Sequence, residues 1–225
     1  MDTFTRGIVD KKSTKLINPD NKHFWKYVLL FRLFLALNTQ TMHHPDESYQ
    51  SVDVAYGFVY GGTATPWEWD PSNALRSPLF PMLYAVYFKI LSMLYLDFTV
   101  FVNYGPNIIN AVLLWISDVF FYNSVRMAYS AKIAKFSVFL YLVAEYPLYV
   151  LPRTLSNSFE AMLLIMSVYC YLNVKDYSKL YDKYSMLLTC SITLSFVIRN
   201  TSVIPWLIPM AWMIYRYKAF NKILY

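Results

Sequence analysis

Charged residues are scarce in this sequence. Of its 225 residues only 15% are charged, and 57% are hydrophobic. A soluble domain typically has about 25% charged and about 45–50% apolar residues. A soluble chain of this size buries only about 70% of its surface on folding, so a single core does not accommodate the excess. The composition therefore excludes an ordinary soluble domain and predicts a protein embedded in a lipid bilayer.

Cysteine and histidine are also rare. The two cysteines, Cys170 and Cys190, both lie in apolar segments, which favours buried thiols over a disulfide framework or a metal site. The three histidines are too few and too unevenly placed for a multi-histidine metal centre. We expect no metal ion and no cofactor, although adjacent acids in the chain are of the type that holds a cation.

We also expect neither a nucleic-acid-binding surface nor a cleavable signal peptide. The net charge of +6 arises mostly from short basic tracts between apolar segments, a distribution typical of cytosolic loops and anionic lipid surfaces. Because no polar domain interleaves these tracts with base-stacking aromatics, we expect no nucleic-acid partner. Residues 1–23 are predicted to form a cytosolic basic tail, and the apolar segment after them is interpreted as a retained signal anchor.

Apolar segments of membrane-spanning character are abundant. The first runs from about Phe24 to Met42, close to the ~20 residues that a spanning helix needs. Arg32 within it is expected to form a structural pairing rather than to act in catalysis. Further segments lie near residues 78–96, 104–122, 136–151, 156–173, 186–198 and 202–215.

The basic loops between these segments predict the orientation of the chain. The loops at residues 126–135, 175–183 and 216–222 are basic and are expected to be cytosolic. Two full crossings between residues 77 and 126 conflict with that assignment. Either one segment there is re-entrant, or the charge bias is misleading.

Residues 43–77 differ from the rest of the chain. They include two adjacent histidines, five acids and three of the five glycines. We predict one long loop on the lumenal side of the membrane, because it lies across the first apolar segment from the basic tail. Polar residues gathered in a loop indicate function more strongly than polar residues in a core.

The first reactive cluster in this segment is His44-Pro45-Asp46-Glu47, followed by Gln50. Pro45 is expected to end the first helix, which places Asp46 at the membrane surface, where a lipid-linked substrate presents its head group. A carboxylate partly removed from water is suited to accept a proton near neutral pH. The alternative is that Asp46 caps a short helix with Glu47 in its first turn, and the tetrapeptide alone favours that alternative.

Three further polar clusters follow, namely Pro66-Trp67-Glu68-Trp69 with Arg76, Arg153-Thr154-Leu155-Ser156-Asn157 with Glu160, and Arg199-Asn200-Thr201. The tryptophan pair suits either a sugar face or the membrane interface. Arg76 either binds a phosphate with its planar guanidinium group or lies at the edge of the membrane. Ser156 or Asn157 is expected to cap the next helix, with Glu160 completing a pattern like a capping box.

Taken in chain order, these four motifs resemble the lipid-dependent mannosyltransferases that build the GPI anchor and the related lumenal enzymes of N-glycan assembly. The resemblance covers most of residues 24–215 and is tightest over residues 44–50 and 66–81. It implies an all-α, multi-pass membrane helical bundle of the GT-C glycosyltransferase type in the endoplasmic reticulum membrane. It also implies dolichyl phosphate mannose as donor, a GPI precursor as acceptor and an α-1,2-linked product formed with inversion.

On this basis we predict roles for the polar residues. Asp46 is expected to be the general base, and Glu47 to orient either the acceptor or a backbone amide. Arg76, Arg153 and Arg199, in that order of preference, are candidates to neutralise the leaving phosphate. The remaining predicted substrate-binding residues are His44, Gln50, Trp67, Glu68, Trp69 and Asn157.

The sequence also departs from the family pattern. These enzymes are usually much longer, so residues 24–225 are expected to form only the N-terminal half of the family's glycosyltransferase domain. Arg199-Asn200-Thr201 stands where Arg-Pro-Thr is common, and Asn107 stands where a basic residue is common, whereas Asp118 is kept.

Other functions were weighed against this one. A transporter is disfavoured because its ionisable groups would lie at mid-membrane, whereas the acids here gather in one loop. A non-catalytic or truncated membrane paralogue and an N-glycan lipid-linked oligosaccharide mannosyltransferase remain as alternatives. The six residues between Trp69 and Arg76 favour an enzyme that adds the fourth mannose over one that adds the third.

Overall fold

The computed structural model describes residues 18–39, 44–63, 66–70, 72–73, 76–174 and 182–217, which contain helices and no strand. The α-helices are α1 (Lys22–Asn38), α2 (Asp53–Tyr60), α3 (Leu79–Met93), α4 (Thr99–Ala128), α5 (Ala131–Val143), α6 (Ser156–Asn173), α7 (Lys183–Ile198) and α8 (Leu207–Tyr217). Wide π-helical turns cover Ser48–Val52 and Tyr146–Val150, and 3-10 turns cover Trp67–Trp69 and Asn200–Trp206. The predicted all-α class is confirmed. Most of the predicted basic tail and of the loops at 175–183 and 216–222 lies outside the described residues.

The central helix of the bundle is α4. Helices α1, α5 and α6 pack against it, and α7 packs against α6. With 30 residues it is about 45 Å long, longer at both ends than the predicted segment 104–122. Within the described ranges it is the one helix that is long and apolar enough to cross a membrane by length and composition, with a mean hydropathy of 1.5; α3 and α7 are shorter apolar helices.

The helices bury polar side chains together with apolar ones, and they expose many large apolar side chains. Helix α1 buries Arg32 beside Val28 and exposes Leu30 and Phe34, while α4 buries Asn110 and Asp118 and exposes apolar side chains such as Val100 and Phe101. A helix of a soluble protein instead directs its charged and polar residues to the surface and its apolar stripe to the core. The observed polarity suits hydrocarbon surroundings, in which apolar surface gains nothing from burial.

A buried ion pair joins α1 to α4 near the middle of the bundle. Arg32 donates from Nε to Asp118 Oδ2 at 2.9 Å and from Nη2 to Asp118 Oδ1 at 3.1 Å. Its Nη1 donates to the carbonyl of Pro147 at 2.7 Å, and both charged side chains are fully buried. The prediction that Arg32 forms a structural pairing is therefore confirmed.

One end of the bundle is formed around Asp20, which precedes α1. Its carboxylate lies 3.0 Å from Arg126 Nη1 and 2.7 Å from Lys135 Nζ, and it accepts a hydrogen bond from the Tyr122 hydroxyl at 2.7 Å. The hydrogen bonds from Lys135 and Tyr122 hold the pKa of Asp20 below its ordinary value. The carboxylate therefore stays ionised at neutral pH and ties α1 to the α4–α5 turn. We call this region, with Asp20, Arg126 and Lys135, the basic end.

The opposite end is formed by the segment after α1 and the turns next to α6 and α7. Glu47 pairs with Arg153 Nη1 at 3.1 Å, and Glu160 pairs with Arg199 Nε at 2.9 Å. We call this region, with these two ion pairs, the cleft end.

Helix α3 lies at the cleft end over its whole length. Phe80, near its start, packs on Phe159 in the first turn of α6 with ring centroids 5.3 Å apart. Tyr87, in its second half, donates to the carbonyl of Phe101 near the start of α4 at 3.0 Å. Between residues 77 and 126, α4 thus joins the two ends and α3 does not. This arrangement is compatible with the alternative in which one of the two predicted segments is re-entrant.

The predicted loop at residues 43–77 is partly helical. The π-helical turn at Ser48–Val52 continues directly into α2. The helix ends at Gly61, whose φ of 75° lies in the left-handed region that glycine adopts without strain. The polar composition concealed this helix because only one side of it is buried, through residues such as Val54 and Ala55.

Candidate active site

The HPDE motif begins the helical segment, and the backbone alone satisfies its first N–H groups. The N–H groups of Glu47, Ser48 and Tyr49 donate to the carbonyls of His44 and Pro45 at 3.0–3.2 Å. A capping side chain would occupy these donors. The carboxylate of residue 46 accepts none of them, so the alternative in which this aspartate is a helix cap is wrong.

Asp46 lies instead beside His44. Its Oδ2 is 3.4 Å from the imidazole Nδ1, and its backbone N–H donates to the same nitrogen at 3.2 Å. The side chains of His44 and Asp46 are 58% and 40% exposed. Asp46 is therefore open to an incoming hydroxyl group, with one titratable neighbour at its side.

Glu47 is committed to Arg153. Both of its carboxylate oxygens accept from Arg153 Nη1, at 3.1 and 3.2 Å. The Arg153 side chain is only 1% exposed, donates from Nε to the carbonyl of Tyr149 and lies 4.3 Å from the centroid of that ring. A buried guanidinium is tolerated only with such partners. The first task of Glu47 is thus to neutralise Arg153.

Further hydrogen bonds hold the same two segments together. The Thr154 hydroxyl donates to the carbonyl of Glu47 at 2.9 Å. The Ser51 hydroxyl lies within hydrogen-bond distance of the carbonyls of Glu47 and of Thr154, the latter at 2.7 Å. Since these contacts involve backbone on both sides, the HPDE motif and the RTLSN motif form one rigid unit.

A buried chain of hydrogen bonds connects this unit to α3 and α4. The Tyr84 hydroxyl donates to Asn110 Oδ1 at 2.7 Å, and Asn110 Nδ2 donates to the carbonyl of Arg153 at 2.7 Å. Burial raises the pKa of Tyr84 above its ordinary value, so the hydroxyl keeps the proton that it donates. The sequence interpretation missed Asn110. The available signal was a lone asparagine in an apolar segment, which needs a partner when buried.

The other two predicted arginines also face carboxylates. Arg76 presents its fork to Glu68, with Nε 3.0 Å and Nη2 3.4 Å from the two carboxylate oxygens. Arg199 pairs with Glu160. Each guanidinium is thereby fixed in position at the cleft end or beside it.

The pairing of Glu160 with Arg199 changes the interpretation of the RTLSN motif. The residue that caps α6 is Leu155, and no side chain contributes a capping hydrogen bond. The prediction that Ser156 or Asn157 caps this helix with a box from Glu160 is therefore wrong. Glu160 instead forms an ion pair with Arg199 at the end of α7. The exposed Asn157 makes no capping hydrogen bond.

A cleft with a volume of about 760 Å³ opens beside Glu47, within the ~300–1,000 Å³ typical of ligand sites. Its polar lining comes from the start of the α2 segment, the α3–α4 turn, the first turns of α4 and the RTLSN motif, and includes Ser48, Asp53, Asp97, Thr99, Asn103, Asn107 and Thr154. Among the predicted site residues, Glu47 belongs to this lining. Asp53 and Asn107 were not predicted as site residues, although Asp53 lies seven positions after Asp46, two helical turns along.

Carboxylates dominate the charge of the cleft. Glu47, Asp53 and Asp97 line it, and no lysine, arginine or histidine side chain does so within the described part of the chain. In that same part, no group of three or more histidine, cysteine, aspartate and glutamate side chains is placed to hold a metal ion. The described lining therefore offers hydrogen-bond acceptors and supplies no cation for a phosphate.

The remaining predicted residues lie around the cleft. Trp69 is half-buried and meets Phe58 edge to face with ring centroids 6.4 Å apart, whereas Trp67 is exposed. Gln50 is half-buried. Of the described lining residues, none belongs to this tryptophan pair.

These observations define a class of protein, in which a bundle of helices has an apolar exterior and a polar cleft at one end. Residues 23–225 match the Alg9-like mannosyltransferase family, and the chain belongs to that family. The prediction of a mannosyltransferase family is thereby confirmed.

Individual relatives carry more specific names. The chain is 34% identical over 177 residues to the GPI alpha-1,2-mannosyltransferase 3 of Xenopus laevis, covering 79% of this chain and 32% of that protein. It is 33% identical over 195 residues to the GPI mannosyltransferase 3 of Schizosaccharomyces pombe, with coverages of 83% and 38%. With the GPI alpha-1,2-mannosyltransferase 3 of Homo sapiens it shares 32% identity over 184 residues, with coverages of 80% and 32%. The chain thus spans about a third of the length of these relatives, and no solved structure matches it.

Proposed function

We propose that this chain carries the mannosyl-transfer site of an inverting α-1,2-mannosyltransferase, which moves mannose from dolichyl phosphate mannose to a GPI-anchor precursor in the endoplasmic reticulum lumen. Family membership supports the transfer of mannose, and the names of the relatives support the linkage and the acceptor. One observation carries the proposal for this chain. Glu47 and Arg153, 106 positions apart, bring the two family-like motifs together at the rim of one cleft.

In this proposal the chain is a multi-pass bundle in the membrane, with the basic end in the cytosol and the cleft end in the lumen. Helices α1, α4, α5, α6 and α7 run between the two ends, while α2 and α3 stay at the lumenal surface. The ion pairs of Asp20 with Arg126 and Lys135 support this placement, because positive loops favour the cytosol. Asn173 Nδ2 at 3.3 Å from Met127 Sδ puts the end of α6 on the same side.

Asp46 acts as the general base. It takes the proton from a mannose hydroxyl of the acceptor as that oxygen bonds to the anomeric carbon of the donor. The bond between the anomeric carbon and the phosphate oxygen breaks, and dolichyl phosphate leaves with the electron pair. The exposure of Asp46 beside His44 supports this role, and a positioned base contributes about 10²–10⁴-fold in rate.

Arginine supplies the positive charge that a leaving phosphate needs. Arg76 and Arg199 are 27% and 29% exposed, whereas Arg153 is 1% exposed. A partly exposed guanidinium exchanges its acidic partner for phosphate at a lower cost than a buried one does. We therefore assign the phosphate to Arg76 first and Arg199 second, and we assign Arg153 to holding the motifs together.

Precursor analysis in cells that lack this protein tests the proposal. The spacing of Trp69 and Arg76 favours the fourth mannose, so a GPI precursor with three mannoses should accumulate, and re-expression of the chain should clear it. A precursor with two mannoses would show that the third-mannose alternative is right. Shortened N-glycan precursors with normal GPI would move the protein to the N-glycan pathway. Normal amounts of both would leave the non-catalytic paralogue.

A further inference from the structure

Polar residues from two helices line the cleft. Asp53 and Tyr56 occupy one side of α2, and Thr99, Asn103 and Asn107 line the first turns of α4. The α4 residues are spaced by four positions, so they form a single row along the helix. The same turns expose apolar side chains, such as Val100 and Phe101, away from the cleft.

These polar side chains lie at the accessible surface of the cavity, since Thr99 and Asn103 are exposed and Asp53 and Asn107 are half-buried. Asp53, Asn103 and Asn107 have no side-chain hydrogen bond or ion pair with any residue that the structure describes. These donors and acceptors are available to a ligand.

An aromatic ring completes the lining. Tyr56 packs against Tyr60, with ring centroids 4.6 Å apart, and meets Phe88 edge to face at 6.0 Å. It remains 36% exposed and lines the cleft. A supported ring of this kind offers a flat apolar face to the C–H groups of a sugar.

The charge of the cleft decides which part of a glycolipid it accepts. The described lining carries Glu47, Asp53 and Asp97 and no cationic side chain, so a phosphate would meet like charge. A neutral polyol meets acceptors in the carboxylates and both donors and acceptors in the amides.

We propose that this cleft binds the mannose residues of the acceptor glycan, with Asp53 accepting hydrogen bonds from sugar hydroxyls and Asn103 and Asn107 pairing with other hydroxyls. The inference rests on the proposed function and assigns a substrate subsite within it. Asp53 is a substrate-binding residue here, distinct from Asp46 as the base. Tyr56 takes the role of sugar platform that the sequence had suggested for Trp67 and Trp69.

Photo-crosslinking tests the subsite without relying on turnover. The purified 225-residue chain in detergent is incubated with an α-linked trimannoside that carries a diazirine, and labelled peptides are located by mass spectrometry. Label should fall within residues 45–63 and 97–107. Unlabelled trimannoside should compete, and inorganic phosphate at the same concentration should not. Labelling confined to the Trp67–Trp69 region, or competition by phosphate, would overturn the proposal.

Matched variants make the test specific. Asp53→Asn removes a charged acceptor and should weaken labelling by about tenfold or more, whereas Asp70→Asn, on the exposed part of the same segment, should not. Asn107→Ala should weaken it, and Asn123→Ala, near the basic end of the same helix, should not. Equal labelling in each variant and its control would overturn the subsite, and Asn107→Ala decides alone if Asp53→Asn fails to fold.

A transfer assay on the same preparations separates this inference from the proposed function. Active protein whose Asp53→Asn and Asn107→Ala variants keep the wild-type KM for the acceptor would refute the subsite and leave mannosyl transfer intact. A rise in that KM with an unchanged KM for the donor is the expected result. The opposite result is also informative. If the trimannoside labels the chain normally but the chain supports no mannosyl transfer in cells, the proposed function is refuted and the subsite stands.

Discussion

Three arginine–carboxylate pairs set the electrostatics around the cleft, and their exposure separates their roles. Arg153 is buried beneath Glu47, whereas Arg76 and Arg199 reach the surface beside Glu68 and Glu160. A buried pair is costly to break because one charge is left without a partner, while an exposed pair exchanges partners easily. At the scale of single residues, arginine–carboxylate pairs therefore have two roles. The Arg153 pair stabilises the fold, and the Arg76 and Arg199 pairs are candidate phosphate sites.

Asp46→Asn is expected to abolish most mannosyl transfer. The amide keeps the shape of the carboxylate but cannot accept the proton, so we expect a loss of about 10²–10⁴-fold. Transfer of labelled mannose in membranes measures the activity, and immunoblotting checks that the amount of protein is normal. Asp70→Asn, which alters an exposed acid of the same segment, should remain active. Near-normal transfer by Asp46→Asn would reject Asp46 as the base.

At the scale of helices, the buried pair of Arg32 and Asp118 fixes α1 against α4. It lies about 12 Å along α4 from Asn110 and about 12 Å from Arg126, midway between the cleft end and the basic end. The additional hydrogen bond to the Pro147 carbonyl brings the π-helical turn after α5 into the same contact. The pair thus sets the relative position of the elements that carry the HPDE and RTLSN motifs.

Arg32→Met and Asp118→Leu should each destabilise the protein strongly, by about 3–5 kcal/mol, because each leaves an uncompensated buried charge. The double variant should be more stable than either single variant, with a remaining deficit of about 1–3 kcal/mol from the unpaired Pro147 carbonyl. Thermal unfolding of purified protein in detergent measures the effect.

A surface arginine provides the matched control for this series. Arg126→Met removes an ion pair at the basic end, where the arginine is half-exposed, and should cost no more than about 1 kcal/mol. A double variant as unstable as either single variant would show that the pair does not act as a unit.

At the scale of the whole molecule, the two ends of the bundle differ in charge. The basic end gathers Arg126 and Lys135 around Asp20, and the cleft end carries the acid-lined cavity. The proposed orientation, with the basic end in the cytosol, rests on this difference.

Glycosylation mapping tests this orientation. Leu75→Thr turns the exposed Asn73 into an N-glycosylation acceptor, and only a lumenal acceptor is modified. The substitution is made in an Asn200→Gln background, since Asn200-Thr201-Ser202 is already an acceptor sequence. We expect a mobility shift that a deglycosylating enzyme reverses. Modification of an acceptor fused to the amino terminus, with none at Asn73, would invert the topology.

The sequence by itself determined the features that depend on composition and local pattern. Excess apolar residues predicted the lipid environment, and helical segments near 24–42, 156–173 and 186–198 correspond to α1, α6 and α7. Arg32 could be recognised as a structural residue because a charge inside an apolar helix needs a partner. The family could be identified from the sequence because its motifs are short local patterns that occur in a fixed order along the chain.

Only the tertiary structure decided which side chains meet. Glu47 was expected to orient substrate, but helix packing brings it to Arg153, 106 positions away. Asp53 and Asn107 gained their place in the cleft because packing brings α2 and the start of α4 to the same cavity, and α3 proved not to run between the ends. Local patterns report which face of a helix is polar, whereas the partner of that face depends on how distant helices pack, which no single segment encodes.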